Sequence, residues 1–456
     1  MVNGKLFLIS FMLLLAIRAF PQSDVPQIAS VKDSSVEPRT NVDAVKPLSL
    51  SEAIDLALKQ ASAFKAAQIN EQIASEDVQQ AKTGFYPKIS AQPVLIYTSP
   101  SFSRPADGSP RPPSFLGANA ITEYQAFINA AGEIDTSGRL RATLEKSQAL
   151  LESARKGSEI ARLELVQSAT DAYFNLALAT TKRRGAEMNL QTAQEFESNT
   201  KLQLDAGEVA PVDLVRARLQ TAQRRDELLQ AQSDETVSAD ALRFIVGYVF
   251  DAPIAAEDLL VQLPQAGEID RYTETAVASR PEFAQFEADR KAAEQDIKIA
   301  QAERRPQINY SVSGGFISDS LRPNRIGNST GVQAAIGVTI PIFDWGASKS
   351  RETQARLKIQ QTENNKALAQ RQFVQQFYAA RTQANSAASR IRQLGDSIKD
   401  AEVNLSASLA RYRAGEATIV EVTDAQNLLI TQRQSLYQAI FDYQTARARL
   451  LRAIGQ

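Results

Sequence analysis

The sequence predicts a mainly α-helical chain that also carries membrane-type β-strands. Three observations predict it. Two helical segments are very long, four short segments alternate in polarity, and the whole pattern of helix, two strands, long helix, sharp turn and helix occurs twice. The first copy covers residues 48–247 and the second 269–456, with a Pro- and acid-containing connector, 248–268, between them.

The N-terminus comes first in order. Lys5 precedes an apolar run from Leu6 to Ala16, interrupted only by Ser10. That run is too short to span a bilayer as a mature helix but suits an export signal, here placed over 1–22. A buried helix at the start of a domain is the other reading. The Pro/Ser/Asp/Lys linker that follows, 23–47, gives such a helix nothing to pack on. Ser49-Leu50-Ser51-Glu52 places a capping-box pair ahead of Ile54 and Leu58 and predicts a helix start. Phe85-Tyr86-Pro87-Lys88-Ile89 then ends that helix and opens a strand. Arg304-Arg305-Pro306-Gln307-Ile308 does the same in the second copy. Proline stops a helix and is tolerated at a strand's first residue.

The strands alternate. Ile308, Tyr310, Val312 and Phe316 share one face, against Gln307, Asn309, Ser311 and Ser313. Val332, Ala334, Ile336, Val338, Ile340 and Ile342 form a second apolar face. The first-copy strands are weaker: Ile89, Ala91, Leu95 and Tyr97, then Tyr124, Ala126 and Ile128. Each segment has the roughly 9–11 residues that a tilted membrane strand needs. The loops Ser99–Gly117 and Ser318–Thr330 are rich in Pro, Ser, Asp and Arg. A half-buried sheet on a soluble domain is the alternative. Four strands cannot close a barrel, and lipid does not tolerate an open edge. Two copies would give eight strands with a filled interior; three would give twelve and can leave a lumen.

Strand-to-helix corners follow, Ile134-Asp135-Thr136-Ser137-Gly138 and Phe343-Asp344-Trp345-Gly346. From Gly138 to Gly207 and from Gly346 to Gly415 the spacing is the same. Neither segment contains proline, so each reads as one helix of about 68 residues, roughly 100 Å long. Their apolar stripes are thin, with coiled-coil spacing at Ile391, Leu394 and Ile398. Water therefore lies on one or both sides of each helix.

Composition excludes much chemistry. The 456 residues include no cysteine and no histidine, so thiolate, imidazole and the usual zinc sites are absent. No lipid-bearing N-terminal cysteine is available. The formal net charge of −1 offers no footprint for nucleic acid. The Asp/Glu-rich stretches read as helix faces, and no enzyme is expected.

In this order and at this spacing, the residues closely resemble the TolC family of outer-membrane efflux proteins. The carriers are Leu50-Ser51-Glu52-Ala53-Ile54, Ala278-Ser279-Arg280-Pro281-Glu282, Pro341-Ile342-Phe343-Asp344-Trp345-Gly346 and the turns after Gly207 and Gly415. The resemblance implies long antiparallel coiled-coil helices forming a periplasmic tunnel, and four strands per chain in a trimeric, twelve-stranded outer-membrane barrel. It implies an exit duct for efflux or type I secretion. The partners would be two further copies, a periplasmic adaptor, an inner-membrane pump and outer-membrane lipid, without a cofactor or a metal. A periplasmic adaptor and a structural coiled-coil scaffold are the rival readings.

The two tips carry the candidate site. Gly415 suits the left-handed position that ends a helix, and Pro211 fits the first turn of the next. Glu421 and Asp424, three apart, share a helix face and match the family's acidic constriction. A solvated charged face is the bland alternative. Gly207, Asp213, Tyr412 and Gly415 match positions of tip gating and adaptor docking. Ala417 stands where the family's gating arginine is expected, with Arg413 and Arg216 as candidate substitutes. Trp345 and Phe85-Tyr86 read equally as an interfacial aromatic girdle or as corner packing.

Overall fold

In the computed structural model of the chain, residues 47–99, 102, 106–109, 122–261, 263–265 and 267–456 are described. The expected signal, 1–22, and all but the last residue of the linker, 23–47, lie outside them. So does most of the loop Ser99–Gly117.

Helices dominate the described residues. In chain order the elements are α1 (Leu50–Lys59), α2 (Ala63–Thr83), β1 (Lys88–Tyr97), β2 (Thr122–Ile134), α3 (Arg139–Asp205), α4 (Pro211–Val246), α5 (Pro281–Ala302), β3 (Gln307–Ser318), α6 (Pro323–Asn328), β4 (Thr330–Thr339), α7 (Ala347–Arg413) and α8 (Ile419–Ala453). Short 3₁₀ segments at Leu259–Val261, Ile269–Arg271 and Glu274–Ser279 lead into α5. α3 and α7 have 67 residues each, so each extends roughly 100 Å.

The capping box at Ser49 forms: the Glu52 amide donates to Ser49 Oγ at 3.3 Å and the Ser49 amide to Glu52 Oε2 at 2.9 Å. The helix it opens is shorter than the sequence suggests. Gln60 takes an extended conformation and Ser62 starts a new helix by accepting from the Lys65 amide at 3.3 Å. A second local cap thus competes with helix continuation. The break also lets the Gln60 side chain lie against Gly247. A Cβ there would sit 2.1 Å from Gln60 Cδ, and Gly247 itself is left-handed at φ +76°. Conformation demands glycine at the end of α4, and a larger residue would also have to displace the Gln60 side chain.

The strands form one antiparallel sheet in the order β1-β2-β3-β4. Its register joins the four patterns into two faces. Ile89, Ala130, Val312 and Ala334 lie in one row; Ala91, Ile128, Gly314 and Val332 in the next; Gly132, Tyr310 and Ile336 in a third. The opposite face carries rows such as Ser90, Asn129, Ser313 and Gln333. The apolar rows are open: Val332 is 80% exposed and Ile336 76%. β1 and β4 are the edge strands of the chain and are exposed along their lengths.

Two details correct the sequence reading. β4 ends at Thr339, short of Ile340 and Ile342 in the alternating run, because Pro341 has no amide to extend the ladder and restricts the residue before it. The loop Ser318–Thr330 contains the helical turn α6, opened by Pro323 at its first position. After β4, Ile342 (95% exposed), Phe343 and Trp345 stand outward at the corner. Phe343 and Trp345 meet edge-to-face at 4.7 Å between centroids, and Trp345 is left-handed at φ +55°.

The corners start the long helices in one way. Gly138 and Gly346 are left-handed N-caps, φ +82° and +84°, and lack a capping side chain. An aspartate just upstream supplies it. Asp135 accepts from the Leu140 and Arg141 amides at 3.0 and 2.9 Å, and Asp344 from the Gly346 and Ser348 amides at 3.0 and 2.8 Å. Those bonds satisfy amides that a helix start leaves orphaned.

The largest core lies midway along α3 and α7. Tyr173, Phe174 and Leu176 of α3 meet Leu242 and Val246 of α4, Phe377 of α7 and Ile440, Tyr443 and Leu450 of α8, with Leu259 and Ile269 from the connecting segment. A second, small core sits far from it, between the two helical turns.

Candidate functional site

Both long helices end in the same hydrogen-bonded turn. After α3, the Glu208 amide donates to Gln203 O and the Gly207 amide to Leu204 O, each at 2.9 Å. After α7, the Glu416 amide donates to Arg411 O at 2.9 Å and the Gly415 amide to Tyr412 O at 3.0 Å. This is the Schellman pattern, which needs a left-handed residue. Gly207 (φ +79°) and Gly415 (φ +73°) supply it, and open space surrounds both. Backbone conformation alone, not crowding, requires glycine here.

The next helices begin differently. Pro211 occupies the first turn of α4 behind Ala210, which has no capping side chain. α8 starts from Thr418 with a full capping box. The Glu421 amide donates to Thr418 Oγ1 at 3.4 Å and the Thr418 amide to Glu421 Oε1 at 3.5 Å. The other carboxylate oxygen, Oε2, meets Arg411 Nη1 at 3.2 Å, and Arg411 Nη2 donates to Glu416 O at 3.3 Å. Asp424, one turn on, is exposed and makes no hydrogen bond or ion pair among the described residues.

Between the two turns, Phe196, Ala217, Tyr412, Ile419 and Val422 form the small core, with Val209, Leu409 and Ala417 against it. The Phe196 and Tyr412 rings lie 5.8 Å apart. Tyr412 is buried, and its hydroxyl has no hydrogen-bond partner. Burial pushes its pKa up, and the Asp213 carboxylate nearby pushes it further. Asp213 thus acts on Tyr412 through charge alone, with no hydrogen bond between them. Ala417 serves as core rather than as a charged link. Neither Arg413 nor Arg216 makes an ion pair among the described residues. The arginine that acts in the tip is Arg411, which the sequence reading missed. Its signal was its place: a cation in the last turn of a helix, where the dipole favours it, just across a glycine turn from a carboxylate.

Further from the tips a buried polar seam ties α4 to α8. Gln220 Nε2 donates to Gln426 Oε1 at 2.6 Å. Arg224, 4% exposed, donates to Asn427 and, at 2.7 Å, to Glu227. Beside it lies a cavity of about 220 Å³ lined in part by Asn189, Leu405, Leu429 and Arg433. Among the described residues no cluster of acidic, His or Cys side chains could hold a metal ion, and no helix is long and apolar enough to cross a membrane.

This geometry has close relatives. The profile of a family described as outer membrane efflux protein matches residues 53–248 and 273–456. Protein CyaE of Bordetella pertussis is 26% identical over 422 residues, covering 91% of this chain and 85% of CyaE. Cation efflux system protein CusC of Escherichia coli K12 is 25% identical over 353 residues, 74% of each chain. Outer membrane protein TolC of the same organism is 22% identical over 303 residues, covering 64% of this chain and 61% of TolC. Among solved structures, CusC superposes with a TM-score of 0.78 at 19% identity over 92% of this chain and 96% of CusC. VceC of Vibrio cholerae gives 0.76 at 19% identity over 89% of this chain and 96% of VceC.

Proposed function

Because the chain belongs to the TolC-like outer membrane efflux protein family, whose members are non-catalytic export channels of the outer membrane and periplasm, we propose the following assembly. Three copies close a twelve-stranded barrel over a helical periplasmic tunnel. The observation that carries this reading is the sheet register. It gathers most of the apolar residues of four strands onto one open face and most of the polar residues onto the other, where Val94, Ile96, Phe127 and Ile317 are the apolar exceptions, and among the described residues it leaves both edges unpaired. Such a sheet suits lipid outside and water inside, and lipid requires its edges to pair. Pairing β1 of one copy with β4 of the next closes the ring. Three copies leave a lumen where two would fill it. The outward Ile342, Phe343 and Trp345 then mark one membrane interface.

The rest of the molecule fits a duct. Residues 1–22 direct export, and residues 48–247 and 269–456 act as two structural repeats joined by 248–268. Two 67-residue helices reach about 100 Å from the barrel towards an adaptor and an inner-membrane pump. The tips form the narrow end. Gly207 and Gly415 turn the chain there, and Tyr412 with Asp213 holds neighbouring helices together. Glu421 and Asp424 make this end acidic, and carboxylate charge there favours cations over anions. The duct serves a tripartite efflux or type I secretion system whose pump selects the cargo.

Single-channel conductance in planar bilayers tests this reading. The purified chain is expected to insert and conduct, and Tyr412→Phe with Asp213→Ala to raise the resting conductance. An unchanged conductance in that variant removes these residues from the gate. Protein that stays soluble and never conducts overturns the duct.

A further inference from the structure

The two tips are alike in backbone and unlike in chemistry. Measured from the turn glycines, Gln203 and Arg411 occupy one position, and Asp213 and Glu421 occupy another. Ala210 and Thr418 stand at the two N-caps. In the second tip all three variable positions engage one another. Both oxygens of Glu421 are taken, Oε1 by the Thr418 amide at 3.5 Å and Oε2 by Arg411 at 3.2 Å, while Arg411 also holds Glu416 O at 3.3 Å. In the first tip the corresponding glutamine carries no charge, and Asp213 makes no ion pair among the described residues.

We propose that Arg411 is a specificity-determining residue of the constriction: it turns Glu421 back into the hairpin and cancels its charge, so that Asp424 alone sets the ion preference. This deepens the acidic-constriction reading and rests on it. The Arg411–Glu421 pair is about half exposed on both sides and adds little stability. Its effects are direction and charge. Three copies then present three unpaired carboxylates to the axis rather than six, and the second turn is cross-braced where the first is not.

The test is the reversal potential of the full chain in planar bilayers under a KCl gradient, read as the K⁺ to Cl⁻ permeability ratio. Arg411→Gln is expected to raise the ratio about threefold by freeing Glu421. The Arg411→Gln/Glu421→Gln double variant is expected to return it to the wild-type value, and Asp424→Asn to lower it. If Asp424→Asn lowers the ratio while Arg411→Gln leaves it unchanged, the shielding role of Arg411 is overturned and the acidic constriction stands. If neither variant moves the ratio, the constriction reading fails and takes this proposal with it. Trimer content of each variant, read on a native gel, separates altered selectivity from failed assembly.

Discussion

Single residues carry unequal weight here, and the heaviest lie in the core midway along the long helices. Glu282 sits among Arg280, whose Nη2 donates at 2.7 Å, and Arg452, whose Nη2 does the same. Arg280 also lies over the Phe373 ring, 3.6 Å from its centroid. Burial pushes the Glu282 carboxyl up, but the hydrogen bonds from Arg280 and Arg452 outweigh it and hold the group below the ordinary value of 4.5. A depressed carboxyl contributes stability above its unfolded value and loses it as the pH falls through the folded one. Glu282→Gln removes the carboxylate shared by two buried guanidinium groups, leaving Arg452 the longer contact to Glu164 at 3.8 Å and Arg280 the Gln376 amide oxygen at 3.4 Å, and is expected to cost about 3 kcal/mol. Thermal unfolding of the detergent-solubilised protein checks this: a lower midpoint at neutral pH, and a smaller further loss than wild type on acidification below 4.5. The tip shows which residues are legible in a sequence. Gly207 and Gly415 are, because a left-handed helix end admits little else. Arg411 is not, since its partner Glu421 lies ten residues away across a turn and only the folded hairpin brings them together.

At the scale of elements, the strands and long helices were readable and their interruptions were not. Alternation over β3 and proline-free length over α3 and α7 are patterns of many residues, so one odd residue does not hide them. The break between α1 and α2 turns on Ser62 choosing to cap, and α6 on a loop proline opening a single turn. Propensity does not decide such local choices; the neighbours do. The end of β4 was legible in Pro341 yet overridden by the apolar run that continues past it. The sheet's two faces give a paired prediction. Val312 lies in the apolar row with Ala130 and Ala334, while Ser313, the next residue, lies on the polar face beside Asn129 and Gln333. Val312→Arg is expected to cost about 2–4 kcal/mol at mid-membrane depth and to abolish outer-membrane insertion. Ser313→Arg is expected to insert normally and to alter conductance. Membrane fractionation of both variants checks the assignment, and equal insertion would show that the sheet does not face lipid as its register implies.

At the scale of the whole molecule, the proposed ring would cover the apolar open face with lipid and pair the edges that stand free among the described residues with neighbouring copies. Cross-linking of the purified protein is expected to trap dimers and trimers and nothing larger; a ladder beyond trimers would end the closed-ring reading. The absence of cysteine makes introduced pairs on β1 and β4 unambiguous reporters of that contact. The equal 67-residue helices constrain the architecture in time as well as in space. One inserted residue advances a helix by about 1.5 Å and rotates every later side chain by about 100°. An insertion in α3 alone would therefore leave its tip out of step with that of α7, in height and in facing. A lineage can lengthen or shorten this duct only through matched insertions or deletions in both helices. Steps of about 7 or 11 residues restore the original face, so the reach of such a protein evolves in paired increments of that size.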